Sequence, residues 1–289
     1  MANLKIKVKE NISGKFFVDS TCINCDACRK FAPGTFSDQG DYSFVSKQPG
    51  SDQEELEAKQ ALLACPVNCI GIEGDKDLKA ARDSFPKHID GPVYINGFNN
   101  ESTFGADSYF VTSSKGNWLI DSPRFVKDLV NKFEEMGGIK YIWISHKDDI
   151  GDSKKYAEHF GAKRIINQFD VTDKIKDAEI VLTEEETSID DGIIFHTPGH
   201  TKGSQVLVFE DKYLFTGDHF AFIKKLDMFA SFRRACWYSW EKQITSVDKM
   251  KKFKDIEWIL PGHGRMGQIK RGDFHHIVQK SVLWMYEVD

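Results

Sequence analysis

Cys22-Ile23-Asn24-Cys25-Asp26-Ala27-Cys28, with Cys65-Pro66 farther along, is the stretch that decides how the chain begins. Cysteines at i, i+3 and i+6 let one short loop offer three thiolates to three irons of a cubane. In bacterial two-cluster arrangements a Cys-Pro supplies the remaining ligand, and the Cys-Pro beside one triple serves the other cluster. Only one triple is present here, so the simplest closure is a single [4Fe–4S] cluster held by Cys22, Cys25, Cys28 and Cys65. Between them, Ser51-Asp52-Gln53-Glu54 reads as a capping box. The following Glu55-Leu56-Glu57-Ala58-Lys59-Gln60-Ala61-Leu62-Leu63 is a good helix former that would carry Cys65 back to the loop. A zinc site is the alternative, but structural zinc usually takes its cysteines as separated pairs rather than a triple.

The sequence has 289 residues, enough for a small module and a larger one, each with its own core. Lys and Arg are scattered among Asp and Glu with a formal net charge of -5, which argues against nucleic acid as a partner. No apolar run approaches the roughly 18 residues of a membrane span, and the N-terminus lacks a signal-peptide core, so a soluble cytoplasmic protein is expected. Five of the six cysteines lie between positions 22 and 69, a pattern that in a reducing compartment reads as metal ligation. The expected division is a cluster domain at 1–75, a charged linker at 76–90 broken by Pro86, and a second domain at 91–289.

Beyond residue 90, short β-rich runs alternate with helical ones. Strands are expected over 91–98, 108–112, 117–120, 139–144 and 164–166, and helices over 123–135 and 153–160, which makes a layered α/β fold. Four apolar runs end in a His or Asp beside glycine: Ile142-Trp143-Ile144-Ser145-His146, Phe195-His196-Thr197-Pro198-Gly199-His200, Leu214-Phe215-Thr216-Gly217-Asp218 and Leu260-Pro261-Gly262-His263. Strands ending on one edge of a sandwich would deliver His146, His200, Asp218 and His263 to one pocket. Three imidazoles and a carboxylate suit iron, zinc or manganese.

The segment from residue 5 to 75 resembles single-cluster bacterial ferredoxins, on Cys28-Arg29-Lys30-Phe31-Ala32-Pro33-Gly34-Thr35-Phe36 and Ala64-Cys65-Pro66-Val67-Asn68-Cys69-Ile70. That likeness makes Cys69 a spare thiol beside the cluster. Residues 91–266 resemble the metallo-β-lactamase superfamily at Thr197-Pro198-Gly199-His200-Thr201-Lys202-Gly203-Ser204, Leu214-Phe215-Thr216-Gly217-Asp218 and Pro261-Gly262-His263-Gly264, with Asp121 fitting an early Asp after a strand. The implied fold is a small α+β ferredoxin-like domain followed by an αββα sandwich.

One motif departs from the superfamily's His-x-His-x-Asp-His, because this chain reads Ser145-His146-Lys147-Asp148-Asp149-Ile150-Gly151-Asp152. If Ser145-His146 matches the usual Thr-His, His146 is the first ligand and Asp148 replaces the second. If Ile150-Gly151 matches the Ile-Gly that often follows, His146 is the second ligand and Asp148 and Asp149 take the last two places. The first register is preferred, since a His directly after the strand is the better placed. It gives a first metal site of His146, Asp148, His200 and Asp218. A second site would have His263 and the shared Asp218, with help from Asp149 or Asp152.

Asp218 and Asp149 are the expected catalytic carboxylates, and one or two non-haem irons the expected ions, with zinc or manganese as alternatives. A carboxylate in that motif resembles flavodiiron proteins. His146, His200 and Asp218 form the facial set of mononuclear iron oxygenases, and persulfide dioxygenases of the superfamily use such an iron. An oxidoreductase passing electrons between the cluster and the second metal centre is the leading expectation. A metal-dependent hydrolase with a structural or sensory cluster, and a redox-sensing protein without catalysis, are the alternatives. A small-molecule substrate is expected, and an electron-transfer partner protein is compatible with the cluster; the oligomeric state is open.

His196 and His219 are read as neighbours of ligands, and His88, His159, His275 and His276 as solvent-exposed. Phe232-Arg233-Arg234-Ala235-Cys236-Trp237-Tyr238-Ser239-Trp240 reads as packing with cation-π contacts, as pocket lining, or as a docking surface for the cluster module. Cys236 within it reads as a buried small side chain.

Overall fold

The computed structural model describes residues 2–74 and 76–288. Its first part is small. Strand β1 (Phe16–Val18) leads into the cysteine loop and helix α1 (Ala27–Phe31), followed by the hairpin β2 (Phe36–Asp38) and β3 (Ser43–Val45). Helix α2 (Asp52–Ala64) then returns the chain to β4 (Ile70–Ile72), which pairs antiparallel with β1. The capping box forms: Ser51 Oγ accepts the Glu54 N–H at 3.2 Å, and the Glu54 carboxylate accepts the Gly50 N–H at 2.6 Å. Cys65 is the C-cap of this helix, so the helix length fixes where its thiol lies. The cysteine loop bends through left-handed residues at Asn24 (φ 56°) and Asp26 (φ 70°), residue types that tolerate this conformation better than most.

The expected linker is folded. Helix α3 (Lys79–Asp83) and strand β5 (Lys87–Asp90) lie inside 76–90, and β5 is the edge strand of the large sheet. Phe85 is buried between Phe31 and Phe98, edge-on to each with ring centroids 5.5 and 5.4 Å away. Asp90 accepts hydrogen bonds from Lys212 Nζ and Tyr213 Oη at 2.6 and 2.7 Å. Burying a Phe side chain contributes about 1.5–3 kcal/mol, which is why a segment that reads as charged and proline-broken is ordered.

Strands β6 (Val93–Ile95), β7 (Tyr109–Val111), β8 (Trp118–Ile120), β9 (Tyr141–Trp143), β10 (Lys163–Asn167) and β11 (Ile180–Leu182) complete a seven-stranded sheet in the order β11-β10-β9-β8-β7-β6-β5. Pairing is parallel from β8 to β11 and antiparallel elsewhere. Strands β12 (Glu186–Ile189), β13 (Gly192–His196), β14 (Gln205–Phe209) and β15 (Tyr213–Gly217) join β18 (Trp258–Pro261) and β19 (Gly267–Gln268) in a second sheet of six. The hairpin β16 (Ala221–Ile223) and β17 (Met228–Ala230) stands apart.

The layering follows strand alternation. On β7, Tyr109 packs on Phe215 of β15, while its neighbour Phe110 stacks on Phe133 of helix α4 (Lys127–Glu135). Along β14, Leu207 and Phe209 join the core between the sheets. Val206 and Val208 face a separate core under helices α6 (Trp240–Lys249) and α7 (Phe274–Glu287). Helix α5 (Ser153–Phe160) matches its expected span. Helix α4 starts four residues later than expected, because tertiary bonds capture the preceding backbone: Arg124 N–H donates to Phe98 and Phe125 N–H to the Asp152 carboxylate.

The two parts pack directly. Lys30 of α1 is ion-paired with Asp107 at 2.6 Å, both side chains buried. Arg124 donates to the Leu63 carbonyl at the end of α2 and to Asn68 Oδ1. Arg265 reaches the Arg29 carbonyl and the Asp26 carboxylate from the far side of the sandwich. No helix among the described residues is long and apolar enough to cross a membrane.

Candidate metal centres

Cys22, Cys25, Cys28, Cys65 and Cys69 line one small cavity with Val18, Ile23, Ala27, Val67 and Ile70. Cys69 stands beside the expected four, as the ferredoxin likeness implies: its Sγ lies 3.4 Å from Cys65 Sγ and its N–H donates to that sulfur at 3.3 Å. The thiols differ. The Cys69 thiol, acting as donor, brings Cys22 down to about 6 and Cys65 down to about 7, and is itself pushed far up. Burial pushes Cys25 up to about 12 and also raises Cys28. Two cysteines held low, two held high whose protons iron would displace, and a fifth that donates to its neighbours suit a site completed by metal binding.

The second group forms at the edge of the sandwich where β9, β13, β15 and β18 end. Nε2 of His146, His200 and His263 lies 3.8, 3.8 and 3.9 Å from one atom, Asp218 Oδ2. The His146 and His200 rings meet edge-on with centroids 4.6 Å apart. Donor atoms of His146, Asp148 and His200 converge within 4.8 Å, as do those of His146, Asp149 and Asp218. His146 Nε2, His200 Nε2 and Asp149 Oδ2 are buried with no hydrogen-bond partner. Buried polar atoms are almost always satisfied, so three orphaned ligand-type atoms in two overlapping groups around His146 fit one or two metal ions. Burial, reinforced by the His200 charge, drops His146 to about 3, leaving it neutral and able to ligate.

Asp148 and Asp149 occupy different places. Asp148 stands half-exposed at the rim, 3.9 Å from His146 Nε2. Asp149 is buried against the Asp218 side of the group, where burial and then the Asp218 charge push its carboxyl well up. Asp218 stays low despite burial, because the three imidazoles outweigh it. Gly262 permits this crowding: a Cβ there would lie 2.9 Å from Asp218 Oδ1 and 3.1 Å from Asp149 Oδ2. Asp152 is committed elsewhere, to the Phe125 N–H and Lys155, whereas Asp149 Oδ2 has no hydrogen-bond partner.

Other carboxylates position the loops. Asp121 is buried and accepts the Ser145 N–H at 2.8 Å, holding the residue before His146. Asp170, which carries no motif, accepts from Lys147 N–H, Thr201 Oγ1 and Gly203 N–H, tying the His146 loop to the His200 loop. Nothing in the sequence singles it out, since its partners lie on strand connections far along the chain. His219 is buried with both ring nitrogens unpartnered, beside rather than within the cluster of donors. His196 instead stacks on Phe169 and bonds the Lys202 carbonyl. His88, His159, His275 and His276 are exposed.

A cleft of about 1290 Å³ joins the two centres. Cys25 and the cysteine loop form one wall; Asp148, Asp149, His200, Asp218 and His263 form the other. Phe104 and Gly105 lie between them. Gly105 has φ +81° and sits so close to the loop that a Cβ would be 2.9 Å from Cys25 Cβ and 3.0 Å from Cys25 Sγ. The Phe104 ring faces His263 at 6.1 Å. The aromatic segment at 232–240 lines the cleft through Phe232, Arg234, Ala235 and Trp237, while Arg233 covers the Trp240 ring. Cys236 is half-buried and bonds the Gly199 carbonyl.

Residues 18–72 match the family model of the 4Fe-4S single cluster domain of ferredoxin I. Ferredoxin-1 of Desulfocurvibacter africanus is 39% identical over 64 residues, 21% of this chain and 95% of that one. Among solved structures, a metallo-β-lactamase from Pontibacter korlensis superposes with TM-score 0.53 at 14% identity, covering 70% of this chain and 98% of that one. A metallo-β-lactamase from Hirschia baltica gives TM-score 0.51 at 15% identity, covering 68% and 95%. At such identity the likeness establishes the fold of the sandwich.

Proposed function

The chain belongs, through its N-terminal domain, to the single-cluster [4Fe–4S] ferredoxins, and from that premise we propose an oxidoreductase in which the cluster exchanges single electrons with a non-haem iron in the sandwich. One observation carries the reading: both centres open onto one cleft, with Gly105 against Cys25 and Phe104 against His263. A hydrolytic metal site has no use for an electron carrier at its wall.

His146, Asp148, His200 and Asp218 would hold the first ion. His263, Asp149 and the shared Asp218 would hold a second. Carboxylates in place of imidazoles shift the preference from zinc towards iron or manganese. The ion would supply a site where a small molecule is bound while electrons arrive one at a time. Around it, Asp121 and Asp170 hold the His146 and His200 loops in register. Asp149 Oδ2, buried and without a hydrogen-bond partner, lies within 4.8 Å of the donor atoms of His146 and Asp218.

Metal analysis of anaerobically purified protein tests this. About five or six irons per chain are expected: four in the cluster and one or two in the sandwich. His200→Ala should remove the sandwich iron and leave the cluster absorption intact. Four irons with one or two zincs would overturn the reading in favour of a hydrolase, as the fold shared with metallo-β-lactamases suggests. Four irons alone would favour a sensing role.

A further inference from the structure

The cleft is larger than a diatomic ligand needs, and its mouth has its own chemistry. Lys224 and Lys225, in the turn between β16 and β17, and Arg234 line it on the sandwich side, all three exposed. Among the described residues none of the three is paired with a carboxylate, whereas the other two guanidinium groups of the cleft are taken: Arg29 by Asp26 and Asp38, Arg265 by Asp26. Three free cations therefore line the sandwich side of one opening, and they outnumber the half-exposed Asp148 carboxylate at the rim. Beside them stand large apolar surfaces: Phe104 is 56% exposed and Trp237 67% exposed, with Phe222 and Phe232 deeper in. Both exposed rings line the same cleft, and apolar surface gathered at one opening, unlike singly scattered side chains, marks a binding groove.

From this arrangement we propose that the cleft binds a small organic anion with an aromatic or aliphatic body. Its charged end lies on Lys224, Lys225 and Arg234, its body on Phe104 and Trp237, and its other end reaches the His/Asp group at the cleft floor. The cysteine loop forms the facing wall, so the bound molecule lies along Cys25. Both domains then make one binding site, and the ion pairs Lys30–Asp107 and Arg265–Asp26 hold its walls at a fixed spacing. Aromatic faces with flanking cations select against neutral and cationic molecules of the same shape. This assignment rests on the proposed function only for what happens at the floor; the recognition at the mouth stands on charge and shape alone.

Anilinonaphthalene sulfonate, an aromatic anion, and phenylnaphthylamine, its neutral counterpart, are suitable probes of the anaerobic holoprotein. Their fluorescence reports binding, and the part of the tryptophan-sensitised emission that is lost in Trp237→Phe, one of six tryptophans, reports the place. The triple variant Lys224→Gln/Lys225→Gln/Arg234→Gln should weaken the sulfonate by about tenfold, or about 1.4 kcal/mol in total from three exposed charges. It should leave the neutral probe within about twofold. Trp237→Ala should weaken both. Leu283 and Tyr286 form a second exposed apolar patch, on α7, so Leu283→Ser/Tyr286→Ser is the control and should change neither. Unchanged sulfonate affinity in the triple variant, or loss of binding in the α7 variant, overturns the proposal. Iron content of the triple variant is read alongside: a normal iron count with unchanged probe binding sinks this inference alone, and a missing sandwich iron in the parent protein sinks the functional reading alone.

Discussion

The Lys30–Asp107 pair gives the sharpest test of how the two domains are joined. Lys30 Nζ and Asp107 Oδ2 lie 2.6 Å apart with side-chain exposures of 7% and 2%, and Asp107 Oδ1 also accepts from Asn99 Nδ2 at 2.9 Å. Replacing Asp107 by Leu leaves a buried ammonium without its counter-charge, and Lys30→Met leaves a buried carboxylate with only the Asn99 amide. Breaking a buried pair from one side typically costs about 3–5 kcal/mol, while replacing both partners by apolar groups of similar size is often neutral. Against a total stability of about 5–15 kcal/mol, either single change removes a large fraction. Lys30→Met/Asp107→Leu should recover most of it.

Urea unfolding of the anaerobic holoprotein, followed at once by cluster absorbance and tryptophan fluorescence, measures all three variants. Asp107 is also one residue from Ala106 and two from Gly105, the contact on Cys25, and its N–H bonds the Gly262 carbonyl beside His263. The single variants should therefore bleach the cluster at lower urea than the parent. Single losses below about 1 kcal/mol, or a double variant losing the full sum of the singles, would refute the reasoning.

Cys65→Ser should abolish the cluster absorption, whereas Cys69→Ala should retain it and make the cluster easier to lose on dilution into chelator, because the residue 69 N–H remains to bond Cys65 Sγ while the thiol donor is lost; equal loss in both would make Cys69 a ligand. Gly105→Ala should destabilise the holoprotein by about 1–3 kcal/mol, from a left-handed φ of +81° and a Cβ placed 2.9 Å from both Cys25 Cβ and Pro66 Cγ. Thermal unfolding followed at the cluster chromophore reads this, and an unchanged midpoint would mean the two domains separate at that contact.

Local chemistry was legible because it is written in short spacings. The cysteine triple, the Ser51 capping box and strand ends such as Thr216-Gly217-Asp218 each fix a conformation within a few residues. The expected fold and the convergence of His146, His200, Asp218 and His263 could be read from them. The register of the His146 motif could not, since Asp148 and Asp149 are adjacent and only packing sends one to the rim and buries the other. The same holds for the linker: nothing within 76–90 announces that Phe85 fills a gap between Phe31 and Phe98, because both partners are distant in sequence.

By itself, then, the sequence determined which side chains are candidates for each centre, because ligand type and spacing are local properties. Tertiary structure decided that the two centres share a cleft, that Gly105 must be small where it meets Cys25, and that Asp170 ties two ligand loops together. Those are relations between surfaces folded from remote segments, set by burial and the satisfaction of polar groups, and no periodicity or motif encodes them.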